Sequence, residues 1–149
     1  MKKSIRLSIF YLFVSSKIVC ASVSCDSYND LRVELKNYGS DNCHLIQSKL
    51  LNGSLYESSF PSILAATGEK YSFTLTGVKT EAVLKYQCGE YKKFTLYMGQ
   101  YTKPTHYHTT IDAEMINAND VFERHQKKET WGGGCTHKYP GTLFWQFSH

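Results

Sequence analysis

The sequence predicts an all-β fold with one short helix: an antiparallel β-sandwich stabilised by two disulfides. Aromatic residues make up 14% of the 149-residue chain. Tyr, Phe, Thr and Val, which fit a pleated surface, recur between closely spaced turn residues. Several segments also alternate apolar and polar residues with the two-residue period of a half-buried strand. Many short strands of this kind along one chain are typical of a sandwich or barrel.

The first half of the domain contains three predicted strands. Residues 31–37 (LRVELKN) alternate cleanly, and the turn residues 37–42 (NYGSDN) follow them. Residues 43–51 (CHLIQSKLL) form a second strand whose two faces are less distinct. After Pro61 and a turn, residues 71–77 (YSFTLTG) alternate as cleanly as the first strand. One apolar face per strand predicts a common core.

A hairpin is predicted from residues 81–88 (EAVLKYQC) and 92–98 (KKFTLYM). A three-residue loop of Gly89, Glu90 and Tyr91 collects the apolar side chains on one face, whereas a two-residue loop mixes the faces. Burial therefore selects the longer loop. The predicted cross-strand pairs are Cys88/Lys92, Tyr86/Phe94, Leu84/Leu96 and Ala82/Met98.

The last part of the chain adds two strands and the helix. Residues 109–115 (TTIDAEM) alternate again, and residues 142–148 (TLFWQFS) form a closing strand. Between them, residues 119–128 (NDVFERHQKK) carry helix signals, with Asp120 as a cap and Glu123 at the third helical position. A glycine-rich loop, residues 131–135 (WGGGC), separates this helix from the closing strand.

The N-terminal 21 residues have the pattern of a signal peptide. Met1–Arg6 is basic, residues 7–14 (LSIFYLFV) are apolar, and residues 19–21 (VCA) place small residues at a cleavage site. The apolar run is too short to span a bilayer. We therefore expect cleavage after Ala21 and a single domain, residues 22–149, that is secreted or periplasmic and keeps no transmembrane segment.

Cleavage removes the chain's net positive charge. The signal segment holds four of the 17 basic residues and no acid, which leaves 13 basic and 13 acidic side chains. A formally neutral domain lacks the basic face that nucleic-acid binding requires. Membrane contact would have to be local and aromatic, because no long-range attraction to anionic lipid remains.

The cysteines agree with export. After cleavage the domain keeps an even number, Cys25, Cys43, Cys88 and Cys135, which in an oxidising compartment predicts two disulfides. Three pairings are possible. Cys43 opens one strand and Cys88 ends an inward-facing one, so we expect these two to bridge the core, and Cys25 to join Cys135.

The segment at residues 32–77 resembles the opening of the aegerolysin- and actinoporin-like β-sandwich proteins. The resemblance rests on a V-x-L-x-N strand (33–37), a strand that leads to a glycine, a Pro-containing segment and an aromatic strand. It implies a small secreted β-sandwich that recognises lipid membranes. The aromatic residues of the predicted loops, which would carry such binding, are Tyr101, Tyr107, Trp131 and Tyr139.

A metal site is the competing interpretation. His106 and His108 lie two residues apart and could share a strand face as two ligands of zinc. Further ligands would have to converge through the fold, and no HExxH or EF-hand pattern is present. Exposed loop histidines are common in secreted proteins, so we expect no cofactor, with zinc as the alternative. No nucleophile-elbow or phosphate-loop motif indicates an enzyme.

The sequence therefore favours an exported, non-enzymatic binding module that recognises a host-cell, lipid or glycan surface, as a secreted virulence-type factor would. The alternative is a metal-binding protein or small metal-dependent hydrolase that uses His106 and His108. A third interpretation is an enzyme inhibitor held rigid by disulfides.

Overall fold

The computed structural model describes residues 30–103, 108–129 and 141–149. This part of the chain is all-β, as predicted. Its eight strands are β1 (Leu31–Asn37), β2 (Cys43–Leu55), β3 (Ile63–Leu64), β4 (Lys70–Cys88), β5 (Lys92–Lys103), β6 (His108–Ile116), β7 (Phe122–Lys128) and β8 (Gly141–Ser148).

One continuous sheet contains all eight strands, so the expected two-sheet sandwich is wrong. The order is β3-β2-β4-β1-β8-β7, and β5 pairs with β4 and β6. β4 pairs with β2 along one edge, and along the other edge with β1 over its first half and β5 over its second. Because this 19-residue strand belongs to both halves, the sheet curls into a nearly closed barrel instead of separating into two layers.

Glycine permits the close approach where β4 changes partners. Gly77 has a φ of +140°, a conformation that L side chains rarely adopt. A Cβ atom at Gly77 would lie 3.2 Å from the Cα of Gly53 in β2. The two strands can therefore bend together at this point without a steric clash.

The sheet is also not purely antiparallel. β8 pairs with β1 in parallel, with Leu31 opposite Gly141 and Asn37 opposite Phe147. The strands are far apart in sequence, so no hairpin loop fixes their direction. The parallel pair places β7, the partner of β8, at an edge of the sheet.

The predicted helix at residues 119–128 is wrong, because residues 122–128 form β7 and the described residues contain no helix. The side chains of β7 are exposed, apart from His125. Its backbone pairs with β8 from Phe122 opposite Ser148 to Lys128 opposite Thr142. Hydrogen bonding to an open sheet edge thus outweighs the local capping signals. Asp120, the expected cap, lies in a turn with a φ of +59°.

The predicted β4–β5 hairpin is confirmed residue by residue. Cys88 lies opposite Lys92, Tyr86 opposite Phe94, Leu84 opposite Leu96 and Ala82 opposite Met98. Gly89 takes a positive φ of 58° in the loop. Burial of one apolar face was therefore sufficient to fix the register.

Cys43 and Cys88 form a disulfide, as expected. They are direct cross-strand neighbours on β2 and β4, so the disulfide joins adjacent strands of one sheet rather than bridging the core. Of the described residues, only these two are disulfide-bonded, so the expectation of a second bridge rests on Cys25 and Cys135. Both lie outside the described residues, as does the predicted signal peptide, residues 1–21.

The barrel interior is filled by the alternating inward side chains of β1, β4, β5 and β8. Phe94 links the two halves of the core. Its ring stacks on Tyr86 at 5.8 Å and tilts against Phe147 at 4.8 Å. The buried hydroxyl of Tyr86 donates to the carbonyl of Pro61 at 2.8 Å, and burial raises the pKa of Tyr86. The core is therefore continuous across the barrel.

Candidate functional site

The predicted aromatic loops begin and end at one end of the barrel. Tyr101 lies half-buried near the end of β5, opposite Thr110 of β6, so its predicted place in a loop is wrong. Tyr107, Trp131 and Tyr139 lie outside the described residues. The structure therefore places the strand ends that flank these loops, and the role of their aromatic side chains stays a prediction.

The strand ends that flank the two loops adjoin one another. Gln100 of β5 donates to the carbonyl of Asp30 at 3.1 Å, and that same carbonyl accepts from Gly141 at 2.9 Å. The amide of Ile111 in β6 donates to a carboxylate oxygen of Glu129, just after β7, at 3.0 Å. Both loops, residues 104–107 and 130–140, therefore start from a single hydrogen-bonded base, which we call the Gly141 end.

The side chains of the two histidines of the competing metal interpretation lie outside the described residues. His106 lies outside the described residues. His108 begins β6, opposite Lys103, and its side chain is likewise outside them. The zinc alternative thus stays untested.

A shallow groove lies on the outer face of the barrel, nearer the opposite end. It consists of two adjoining cavities of about 260 and 210 Å³. Gln146 of β8 lines both of them. The larger cavity is also lined by Glu34, Lys36, Lys70, Gln126, Phe144 and Trp145. The smaller cavity is also lined by Tyr38, Phe122, Glu123, Arg124, Phe147 and Ser148. We call this surface the Gln146 groove.

Strand pairing places the cations of the Gln146 groove in one row. Lys70 lies opposite Lys36, Lys36 opposite Gln146, and Gln146 opposite Arg124. Glu34 is already paired with Arg32 at 3.3 Å and with Lys70 at 3.5 Å. Within the described ranges, Lys36 and Arg124 make no ion pair. Two cations on either side of an amide are therefore available to an anionic ligand.

Sequence reasoning missed the Gln146 groove. The polar positions of residues 31–37 and 142–148 were predicted to face outward, which is confirmed, but outward charges are ordinarily only a solvated surface. The row is formed by the parallel β1–β8 pair and by β7, which the sequence indicated as a helix. An exposed aromatic, Phe122, beside Arg124 was the one local signal available.

One group of potential metal ligands comes together among the described residues: Cys43, Cys88 and His149, with ligand atoms within 4.8 Å of one another. The two sulfurs are bonded to each other, so they offer no thiolate to a metal. The His149 side chain is fully buried, and its Nε2 lies 3.8 Å from a carboxylate oxygen of Asp41. Neither ring nitrogen has a hydrogen-bond partner in the described structure. This cluster is a packed core element rather than an accessible site.

The buried imidazole predicts a loss of stability under mildly acidic conditions. Burial and, secondarily, Lys92 lower the pKa of His149 below its ordinary value of 6.5, against a smaller opposing effect of Asp41. Between this lowered pKa and pH 6.5, the unfolded chain binds a proton that the folded chain does not. The free energy of unfolding is therefore unaffected by His149 above pH 6.5 and decreases as the pH falls below it. Urea titrations between about pH 7.5 and pH 5 should show this fall in the wild type.

The His149→Gln variant is the control for that titration, because glutamine does not ionise in this range. Its unfolding free energy should vary less with pH than that of the wild type. Carboxylates such as Glu81, whose pKa Lys79 lowers from 4.5, affect stability only at more acidic pH. Identical pH dependence in the two proteins would contradict the role of His149.

Comparison with known proteins adds a likeness of fold. No family model matches the chain, and no curated protein matches it. A solved structure described as the lipid binding protein Nakanori superimposes with a TM-score of 0.61 over 82% of this chain and 72% of that one. This chain therefore shares its overall fold with that structure. The identity is 8%, so the likeness supports the predicted aegerolysin- or actinoporin-like resemblance in its overall architecture alone.

Among the residues that the structure describes, no helix is long and apolar enough to cross a membrane.

Proposed function

We propose that this protein is an exported, non-enzymatic module that binds a lipid surface, such as that of a host cell. The observation that carries the proposal is the shared fold with a lipid-binding protein over most of both chains. The described barrel agrees with a scaffold role, because its interior is filled by side chains. Binding would then take place at the surface.

The proposed contact is the Gly141 end, through Tyr101, Tyr107, Trp131 and Tyr139. Both aromatic loops start from the hydrogen-bonded base formed by Gln100, Asp30, Gly141 and Glu129. Loops on a rigid scaffold commonly carry binding, and Tyr and Trp prefer the interface between lipid and water. We therefore expect these rings to enter the headgroup region while the barrel stays outside it.

Trp131→Ala is expected to weaken liposome binding at least about tenfold, since one buried Trp side chain contributes roughly 1.5–3 kcal/mol or more. Co-sedimentation with vesicles of host-type lipid would measure it. Because the mature chain is formally neutral, binding by the wild type should change little between low and high ionic strength.

Tyr91→Ala is the matched control. Tyr91 is 85% exposed and lies in the β4–β5 loop, at the opposite end of β5 from Tyr101. This variant should bind vesicles as the wild type does. If Trp131→Ala also bound normally, or if moderate salt abolished binding, the aromatic contact at the Gly141 end would be wrong.

A further inference from the structure

The Gln146 groove has a built position for one negative charge. Lys36 and Arg124 lie on the two strands that flank β8, each opposite Gln146. Neighbouring strands are about 4.8 Å apart, so the two long side chains can reach an anion above Gln146 from both sides. Arg124 can bind a carboxylate through two parallel hydrogen bonds, and Lys36 adds a point charge. The amide of Gln146 can donate from below.

Next to this position lies an aromatic and amide surface. Phe144 precedes Gln146 by two residues on the same face of β8, about 7 Å away along the strand. Phe144 lies between Gln126 of β7 on one side and Glu34 of β1 on the other. An aromatic face attracts the partly positive C–H groups of a saturated ring, and amide and carboxylate groups exchange hydrogen bonds with hydroxyls. These are the groups that hold a polyhydroxylated ring.

The charge balance of the groove selects the ligand's charge. Its cations are Lys36, Lys70 and Arg124, and its acids are Glu34 and Glu123. The surplus is a single positive charge, which suits a ligand with one negative charge. The two acids would repel a polyanion such as a nucleic acid or a polyphosphate. The larger cavity also lacks the apolar walls that an acyl chain requires, since Phe144 and Trp145 are its only apolar residues. The aromatic residues Tyr38, Phe122 and Phe147 line the smaller cavity.

We propose that the Gln146 groove binds a sugar acid, with its pyranose ring on Phe144 and its carboxylate above Gln146 between Lys36 and Arg124. The distance from Phe144 to Gln146 matches the extent of one sugar ring and its carboxylate. Phe122, which is 79% exposed at the far side of the smaller cavity, can contact a second sugar unit. The ligand is therefore an acidic glycan rather than a lipid.

This site is separate from the proposed lipid contact. Lys36 lies near the end of β1 that is remote from Leu31 and Gly141, and Arg124 lies near the matching end of β7. The Gln146 groove thus lies away from the Gly141 end. A protein bound to lipid through its aromatic loops would keep this groove accessible to a glycan on the same or another cell.

The test is an NMR titration of the full-length mature protein with glucuronate and N-acetylneuraminate, each with a single carboxylate. Glucose and N-acetylglucosamine are the neutral probes. A single sugar bound on an open face should give a dissociation constant of about 1 mM. Chemical shift changes should centre on β7, β8 and the end of β1. Neutral sugars should bind at least about tenfold more weakly.

Variants of the groove identify the contacts. Arg124→Gln and Lys36→Gln should each weaken sugar-acid binding several-fold, and Arg124→Lys should restore only part of it because the two-pronged contact is lost. Phe144→Leu keeps an apolar side chain but removes the ring face, and should also weaken binding. Lys93→Gln, on the exposed face of the β4–β5 hairpin, is the matched control and should bind normally.

Several outcomes would overturn the proposal. These are the absence of saturable binding to either sugar acid, equal binding of neutral sugars, and unchanged binding by Arg124→Gln with Lys36→Gln. Tighter binding of inositol hexakisphosphate would indicate a polyanion site instead. Loss of vesicle binding in the groove variants, without sugar-acid binding, would indicate a lipid headgroup. Trp131→Ala should leave the sugar titration unchanged, so this proposal and the lipid proposal fail independently.

Discussion

Replacement of both Cys43 and Cys88 by alanine is expected to lower the free energy of unfolding by about 4 kcal/mol. The disulfide joins residues 45 positions apart, and cross-linking a loop of that length removes much of the entropy of the unfolded chain. Both residues are fully buried, so alanine introduces no polar group into the core. Urea unfolding followed by tryptophan fluorescence would measure the change.

Reduction provides the control for this variant. In the presence of a dithiol, the wild type loses the same cross-link, so its stability should fall close to that of the double alanine variant. Any contribution from Cys25 and Cys135 is removed from both proteins alike. A difference below about 1 kcal/mol between the oxidised proteins would mean that the bridge does not stabilise the fold as its loop length indicates.

The parts of the fold that depend on neighbouring residues could be predicted from sequence. Alternation predicted β1 at residues 31–37 with its observed bounds. The choice between two loop lengths was decided by which one buried Tyr86 and Phe94 together, and that register is observed. In both cases the deciding contact is local, so a one-residue error would have exposed apolar side chains.

The barrel itself could not be predicted, because it depends on one strand, β4, that pairs with different strands along its two halves. Residues 71–77 and 81–88 were predicted as separate strands, and they are the two halves of β4. The first of them ends at Gly77, which permits a bend rather than a break. A sheet that continues through such a bend has the same local alternation as two stacked sheets. The sequence pattern is therefore equally typical of a sandwich and of a barrel.

The β7 segment likewise could not be predicted from its own residues, which favour a helix. Its sequence has a cap residue, an acid near its start and lysines at its end, all of which favour a helix in isolation. Short isolated helices are marginal in water, whereas an open strand edge offers β7 a hydrogen-bonded partner over its whole length. That edge exists only because β8 pairs with β1. The same pairing creates the Gln146 groove, so the candidate glycan site could not be found before the fold was known.

Trp145→Ala is expected to cost about 3–5 kcal/mol of stability, the usual range for a large aromatic removed from a core. Trp145 is fully buried on the inner face of β8. Its indole N–H donates to a carboxylate oxygen of Glu123 in β7, and its ring lies 5.7 Å from that of His125. Thermal and urea unfolding would measure the loss, which should approach that caused by removing the disulfide.

Two conservative variants separate packing from the hydrogen bond. Trp145→Phe keeps an aromatic ring but removes the indole donor to Glu123, and should cost less than Trp145→Ala. Glu123→Leu removes the acceptor of the indole N–H together with the 3.3 Å contact between Glu123 and His125. It should cost about 1–2 kcal/mol, because the buried indole N–H is then unsatisfied. Each variant should also increase hydrogen exchange in β7 before the rest of the barrel, since Trp145 and His125 join this edge strand to the core. If Trp145→Ala instead raised exchange equally in β4 and β7, Trp145 would stabilise the barrel as a whole rather than anchor its edge.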